Sequence, residues 1–252
     1  MRKITLGFET LELDKKQDDA ITALLEGQDI QIDSLSANDK NIIGLCYYYG
    51  LHLEQDYLKA VHWYSLAADE GWAAAERNLA NCYKNGHGVG KDLQQAALWY
   101  ERAANHGHPT AQCTIAEMYY KGCGVKENKE KAWYWLKKAM DGAIETNNMN
   151  LLNYIGDRYH YGDFMLEKDF ERAAEFYRKA SKVNNPLSML NLAFMIYFGE
   201  IEGTSKEVEI LLTKAARTNL PFALAVLEDF AKDCMIPSTY YEYLMSAQKI
   251  GS

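Results

Sequence analysis

The sequence lacks the features of a membrane protein, a secreted protein or a disulfide-rich scaffold. No uninterrupted apolar stretch approaches the roughly 20 residues that a membrane span needs. The N-terminal segment reaches Glu9 and Glu12 before an apolar run of signal-peptide length can form. The five cysteines form no CxxC pair and are too sparse for a small secreted scaffold. We therefore expect a cytoplasmic protein with reduced thiols.

The sequence also lacks an excess of positive charge. Its formal net charge is −8 at pH 7, whereas phosphate binding draws on clustered lysine and arginine. With 48% apolar and 25% charged residues, the composition is that of an ordinary folded protein. We expect a protein partner and neither nucleic acid nor a membrane.

Catalytic motifs are absent as well. The chain contains no GxSxG, GxxxxGK[ST] or HExxH pattern, so no catalytic residue, metal or cofactor is predicted and the chain is expected not to be an enzyme. The best alternative is a metal site at His106 and His108 in "NHGHP", with Cys123 or His87 nearby. Because no third ligand is fixed by the spacing, solvated turn histidines are the favoured interpretation.

The sequence does contain an internal repeat of about 36 residues. A Y-x-x-G element occurs four times: Tyr47 with Gly50, Tyr83 with Gly86, Tyr119 with Gly122, Tyr159 with Gly162. In a fifth copy Ile196 replaces the tyrosine. A second landmark keeps the same step, a large aromatic residue four positions before an alanine: Trp63, Trp99, Trp135, Phe176. A regular period of this length is the signature of a repeat array.

Each repeat has the pattern of a helical hairpin. In the second copy Ala75, Leu79 and Tyr83 share one helix face, and Ala96 with Ala103 marks a second helix. A small residue always stands three positions before the tyrosine or isoleucine: Gly44, Ala80, Ala116, Gly156, Ala193. The small side chain should let the paired helix approach closely, and a large aromatic ring opposite it can fill the gap.

The stretch "YKNGHGVGKDLQQAALWYERAANHG" resembles a Sel1-like repeat, a relative of the tetratricopeptide repeat. The resemblance covers about residues 38 to 220. It departs from the Gly-x-Gly-Val pattern at "GLHL" in the first repeat and "GDFM" in the fourth. It implies an all-α fold, an open right-handed α-solenoid of about five and a half hairpins, and a role as an adaptor or scaffold.

The predicted organisation is one array between two caps. Residues 1–37 form the N-terminal cap, with a short helix over 14–27 after an extended or irregular segment, and residues 221–252 form a degenerate sixth repeat that caps the other end. The spacing leaves open whether 142–151 extends a helix or forms a loop. The array, 38–220, divides into these repeats: 38–71, 74–107, 109–142, 146–184, 186–219.

In arrays of this kind the first helix of each hairpin lines a concave groove where partners dock. Residues offset from the packing positions mix tyrosines with amide and charged groups, a composition that suits protein recognition. The opposing interpretation is that these tyrosines only shield the hairpins from water. The predicted partner-binding residues are Asn41, Tyr48, Tyr49, Arg77, Asn81, Lys84, Glu117, Tyr120, Lys121, Asn153, Asp157, His160, Tyr161, Phe194, Tyr197 and Phe198.

Under this hypothesis the three tyrosines of "CYYYG", residues 46–50, have two different roles. Tyr47 aligns with the packing tyrosines, whereas Tyr48 and Tyr49 are offered to a partner. Among the other predicted residues, Phe194 and Phe198 are apolar enough that a neighbouring element, the C-terminal cap or a second subunit should cover part of them.

Charge separates two hypotheses about the partner. Arg77, Lys84 and Lys121 predict an acidic stretch against the second and third repeats. The acidic chain as a whole instead suits an inhibitor or immunity protein that blocks a basic target such as a toxin. Both remain open, as does the oligomeric state.

Overall fold

The computed structural model describes residues 2–6, 9–28, 30–162 and 165–217. The predicted C-terminal cap, 221–252, lies outside these residues. The chain divides into two compact units, which we call the N-terminal unit, Met1–Ala139, and the C-terminal unit, Met140–Ser252. Each is built from helical hairpins and is treated separately below.

The N-terminal unit begins with a β-hairpin and a capping helix. Strands β1 (Lys3–Leu6) and β2 (Glu9–Glu12) are antiparallel, and helix α1 (Lys15–Leu25) follows. The helix starts there because Asp14 and Gln17 form a reciprocal capping box that satisfies two backbone N–H groups. A single 3₁₀ turn, Ile32–Ser34, leads into the first repeat.

The repeats supply the other helices. The N-terminal unit holds α2 to α6 and the start of α7: α2 Ala37–Tyr49, α3 Tyr57–Asp69, α4 Ala73–Asn85, α5 Leu93–Asn105, α6 Pro109–Lys121, α7 Lys129–Glu145. The division between the two units falls within α7. The C-terminal unit continues with α8 Met149–Tyr161, α9 Phe170–Lys182, α10 Pro186–Tyr197 and α11 Ser205–Ala216. The stretch left open by the sequence is therefore mostly helical, with a three-residue connection after Glu145.

The motif tyrosine links the two helices of a hairpin. The carbonyl of Tyr47 accepts a hydrogen bond from the backbone N–H of Asp56 at 2.9 Å, and the Asp56 side chain caps the next helix by accepting from Lys59 N. The ammonium group of Lys59 also lies 5.3 Å from the Tyr47 ring centroid. Tyr119 and Tyr159 repeat this arrangement with Lys131 and Arg172 over their rings.

In the first and fourth repeats the small residue makes room for a buried ring, as predicted. A Cβ atom added to Gly44 would lie 2.6 Å from the Tyr64 ring, and one on Gly156 would lie 2.6 Å from the Tyr177 ring. Tyr64, Tyr177 and the equivalent Tyr100 are almost fully buried. Close approach at these positions lets a hairpin bury a whole aromatic side chain, whereas Leu136 and Leu212 take the equivalent place in the third and fifth repeats.

The second glycine of the Gly-x-Gly element lets each loop pack against the preceding hairpin. Gly88 has φ +70°, and a Cβ there would lie 2.2 Å from the carbonyl oxygen of Tyr57; Gly124 meets Leu93 in the same way. In the first repeat His52 takes this position at φ 63°, and its Nε2 lies 2.9 Å from the Lys3 carbonyl oxygen. The departure at "GLHL" is therefore tolerated where no helical hairpin precedes it.

The two helices of a hairpin in the N-terminal unit are also joined by buried charge. Glu76 is fully buried, and its two carboxylate oxygens lie 2.6 Å from Arg102 Nε and 2.7 Å from His106 Nδ1. One repeat earlier, the ion pair between Lys40 and Glu70 occupies the equivalent place with the charges exchanged. Removing one member of such a pair leaves an uncompensated charge, so these positions hold the two helices of one repeat together.

None of the helices in the described part of the chain is both long enough and apolar enough to span a membrane.

Candidate partner-binding face

The three tyrosines of "CYYYG" lie in different environments. Tyr47 is buried in the hairpin, Tyr48 is half-buried, and Tyr49 is exposed over 52% of its surface. This follows from the helix, since successive residues of α2 turn by about 100°. We define the first-helix face as the surface of α2, α4, α6, α8 and α10 that carries the predicted partner-binding residues, considered within each unit.

Tyr48 is held in a cluster of rings. Its hydroxyl is hydrogen-bonded to Nδ1 of His87 at 2.8 Å, and the His87 ring stacks on Tyr57 with centroids 4.6 Å apart. Tyr49 lies edge-on against Tyr48 at 4.8 Å. Burial raises the pKa of Tyr48, so its hydroxyl remains protonated near neutral pH. The cluster therefore fixes Tyr48 and supports the exposed ring of Tyr49.

A shallow depression of about 20 Å³ lies beside these rings, between Tyr48, Tyr49, Tyr64, Asn78 and Asn81. That volume admits about one water molecule, so this part of the face offers a contact surface rather than a deep pocket.

Amide groups on this face are partly used to join helices. Asn78 Nδ2 donates to Asn41 Oδ1 at 3.0 Å, between α2 and α4, and the Tyr100 hydroxyl donates to Asn81 Oδ1. Asn41 is buried and Asn81 half-buried. The structure thus gives these two predicted residues packing contacts as well as a place on the face.

The predicted basic residues are the more accessible ones. Lys84 and Lys121 are exposed, and Arg77 is half-buried, with Nη1 3.2 Å from Asn78 Oδ1. Glu117 and Tyr120 are half-buried on α6. The first-helix face of the N-terminal unit accordingly carries more positive than negative charge within a chain of net charge −8.

In the C-terminal unit, Asp157 is the centre of a polar network. Its Oδ1 accepts from the Tyr177 hydroxyl at 2.7 Å and from Asn191 Nδ2 at 3.0 Å, and its Oδ2 accepts from Asn153 Nδ2 at 3.1 Å. Asn153 Oδ1 accepts from Ser188 Oγ at 2.7 Å. Burial raises the pKa of Asp157 to about 6, although the Tyr177 hydrogen bond and the charges of His160 and Arg158 act in the opposite direction.

His160 lies in the same unit and is 5% exposed. Its Nε2 lies 2.7 Å from Glu200 Oε2, and its ring contacts Phe170 with centroids 5.4 Å apart. The other ring nitrogen, Nδ1, is buried without a hydrogen-bond partner in the described part of the chain.

The remaining predicted residues differ in exposure. Phe194 is buried, Tyr161 and Tyr197 are half-buried, and Phe198 is 42% exposed at the end of α10. Asn153 and His160 are buried too, so a contribution of these three buried side chains to binding has to act through neighbouring groups.

Sequence reasoning missed the partners of these residues. His87, Asn191 and Glu200 lie 34 to 40 positions from the side chains they contact. These partners could have been found by comparing one repeat with the next, since His87 and Glu200 both directly follow the glycine at the end of a first helix.

The histidines considered as metal ligands have structural contacts instead. His106 binds Glu76, and the His108 side chain caps α6 by accepting from Ala111 N, its pKa lowered by burial to about 4. Within 2–6, 9–28, 30–162 and 165–217, no group of three or more potential ligands is arranged to hold a metal ion. The thiols of Cys46 and Cys82 are buried, which raises the pKa of each to about 12.

Comparison with protein families places four Sel1 repeats on the chain, at residues 41–72, 73–108, 109–142 and 152–185. These matches cover more than half of the 252 residues. A comparison with curated protein sequences finds no match.

Solved structures with the same fold include a Sel1 repeat protein from Oxalobacter formigenes, which is 23% identical with a TM-score of 0.68, over 94% of this chain and 95% of that one. A protective antigen of uropathogenic Escherichia coli is 28% identical with a TM-score of 0.59, over 85% of this chain and 46% of that one. An immunity protein from Pseudomonas aeruginosa is 21% identical with a TM-score of 0.57, over 84% and 76% respectively. The predictions of Sel1-like repeats and of an all-α solenoid are confirmed.

Proposed function

Because the chain belongs to the Sel1 repeat family, whose members are generally protein-interaction modules, we propose that it is a non-catalytic, cytoplasmic adaptor that binds a protein partner through its first-helix face. The observation that carries this proposal is Tyr49, an exposed aromatic ring supported by the fixed ring of Tyr48. A tyrosine that is already ordered gives contact area at little cost in conformational entropy.

The charge of the face supports an acidic segment in the partner. Lys84 and Lys121 are exposed, and no ion pair of either is present in the described part of the chain. Positive residues without an ion pair among the described residues remain available for carboxylates of another protein, and they would act chiefly on association rate and orientation.

A matched pair of tyrosine variants tests the proposal. Tyr49→Ala removes a side chain that is 52% exposed on the first-helix face, whereas Tyr134→Ala removes one that is 51% exposed on α7, a second helix. In affinity capture from cells that encode the protein, with quantitative mass spectrometry, we expect Tyr49→Ala to lower partner recovery at least about tenfold. Tyr134→Ala should retain wild-type recovery. Equal recovery by both folded variants would contradict the proposal.

Charge reversal tests the acidic segment separately. Lys84→Glu and Lys121→Glu should each weaken recovery of the same partner, with Lys137→Glu, exposed on α7, as the control of equal charge change. An effect of similar size in all three variants would show a dependence on net charge alone.

A second candidate function is inhibition of a toxin or another enzyme by direct binding. Fold similarity to an immunity protein and the acidic net charge support it. The discriminating measurement is the enzymatic activity of the captured partner. Stoichiometric loss of activity on adding the chain supports an inhibitor, and unchanged activity in a stable complex supports an adaptor.

A further inference from the structure

We propose that a cleft beside the first repeat binds a glutamate side chain of the protein partner through Tyr47 and Lys59. The cleft has a volume of about 430 Å³ and lies within the N-terminal unit, between the end of α1 and the first hairpin. The inference rests on the proposed function, since the glutamate would belong to the same partner.

Tyr47 supplies a hydrogen-bonding group that is not used inside the described part of the chain. Its side chain lines the cleft and is only 7% exposed, yet its hydroxyl makes no hydrogen bond to any residue that the structure describes. Lys59 lines the same cleft, with its ammonium group 5.3 Å from the Tyr47 ring centroid and its side chain 60% exposed. A hydroxyl donor and an ammonium group therefore border one accessible space.

The third repeat shows what such a pair binds. Tyr119 and Lys131 occupy the positions of Tyr47 and Lys59 two repeats further on, and both contact the carboxylate of Glu101, which belongs to the second helix of the preceding repeat. The Tyr119 hydroxyl donates to Glu101 Oε1 at 2.9 Å. Lys131 Nζ lies 3.8 Å from the same oxygen and 3.0 Å from the hydroxyl. One carboxylate thus serves both groups.

In the first repeat the helix that precedes the hairpin is α1, and it borders the cleft with apolar groups. Its last two residues, Leu24 and Leu25, line the cleft opposite Leu53 of the hairpin loop. These side chains suit methylene groups and an adjacent apolar residue of a bound segment. A space of about 430 Å³ is within the range of ligand sites. A glutamate of the partner would take the part that Glu101 has in the third repeat.

Two carboxylates of the chain also line the cleft, and their effects differ. Asp56 is engaged, because one of its oxygens accepts from Lys59 N at the start of α3 and the other lies 3.8 Å from Lys59 Nζ. Glu54 is exposed, and its side chain has no hydrogen bond or ion pair among the described residues, so it repels an incoming carboxylate. At this position the third repeat has Lys126. Removing the charge of Glu54 should therefore raise the affinity.

The test uses a short peptide and the whole chain. The ¹⁵N-labelled protein is titrated with acetyl-Leu-Glu-Leu-amide, with its glutamine counterpart and with its lysine counterpart, and backbone amide shifts are followed by NMR. We expect saturable shifts around residues 24–25, 47 and 53–59, with the glutamate peptide binding about fivefold more tightly than the glutamine peptide.

Substitutions with opposite expected effects locate the site. Lys59→Gln should weaken binding of the glutamate peptide about fivefold, and Tyr47→Phe, which removes only the hydroxyl, about threefold. Glu54→Gln should tighten binding about twofold, and Glu54→Lys should tighten it further. The control, Glu127→Gln, removes an exposed carboxylate from the corresponding loop of the third repeat and should change nothing. If Tyr47→Phe does not fold, the variants of Lys59 and Glu54 decide.

Equal binding of the glutamine peptide, tighter binding of the lysine peptide, or weaker binding in Glu54→Gln would each overturn the cleft as a carboxylate site. If the glutamate peptide does not bind while Tyr49→Ala still lowers partner recovery, the cleft fails and the proposed function stands. If the peptide binds while Tyr49→Ala and Tyr134→Ala recover the partner equally, the cleft stands and the proposed role of the first-helix face fails.

Discussion

The N-terminal and C-terminal units build the same two side-chain contacts from different chemistry. In the N-terminal unit, Tyr48 bonds His87, and Tyr100 bonds Asn81. At the equivalent positions of the C-terminal unit, His160 bonds Glu200, and Tyr177 bonds Asp157 at 2.7 Å. The repeat thus determines at which positions these hydrogen bonds form. The residue types at those positions determine whether an ionisable carboxyl group takes part.

The largest effect should come from removing the ring that both units share. Tyr100→Ala and Tyr177→Ala each empty an almost fully buried site, so we expect each to lower the free energy of unfolding by about 3–5 kcal/mol. Urea denaturation followed by circular dichroism measures this. A loss below about 1 kcal/mol in either variant would mean that the two hairpins do not depend equally on the ring.

The next effect separates the units by pH. The pKa of Asp157 is raised to about 6 in the folded protein from the ordinary value of 3.8, so the folded state holds the proton more tightly than the unfolded state. Its contribution to stability is therefore greatest below pH 3.8 and falls by up to about 3 kcal/mol as the pH rises through 6. The side chains that act on the pKa of Asp157 are Tyr177, His160 and Arg158.

Reciprocal substitutions test this pH effect. Asp157→Asn should flatten the dependence of unfolding free energy on pH between 4 and 7, and Asn81→Asp should create a similar dependence in the N-terminal unit. Denaturation at several pH values provides the measurement. Identical profiles for Asp157→Asn and the wild type would refute the assignment.

A smaller effect should follow from removing only the hydroxyl groups. Tyr177→Phe takes a donor from a carboxylate, and we expect a loss of about 1.5–3 kcal/mol at pH 7.5; Tyr100→Phe takes one from an amide and should cost about 0.5–1.5 kcal/mol. The comparison uses the same denaturation assay for both. A larger loss in Tyr100→Phe would reverse the proposed difference between the units.

The smallest effect concerns the contacts nearer the surface. Tyr48→Phe and Glu200→Gln should each change stability by less than about 1 kcal/mol, since the first removes one half-exposed hydrogen bond and the second retains one. Thermal unfolding measures both. A much greater loss in Tyr48→Phe would mean that the ring cluster is part of the core.

The sequence predicted the hairpins because their determinants are local and repeat with the chain. That a small residue such as Gly44 faces an aromatic ring follows from helix spacing and side-chain size, and in the structure this ring is Tyr64. The sequence could not predict that Asn41 and Asn153 are buried, since burial here depends on how the next first helix stacks. Contacts such as His160 with Glu200 depend on that stacking and on rotamers, and neither is encoded within one repeat.

The loop position with positive φ, which is glycine in the second and third repeats and histidine in the first, also affects how such an array can be lengthened. Gly88 and Gly124 each accept the backbone of the hairpin before them, so copies of the second or third repeat can follow one another. A copy of the first repeat placed inside the array would bring the side chain of His52 against the carbonyl oxygen of its neighbour. Duplication of the second or third repeat therefore lengthens the array without this clash, whereas an internal copy of the first repeat needs a glycine in place of His52.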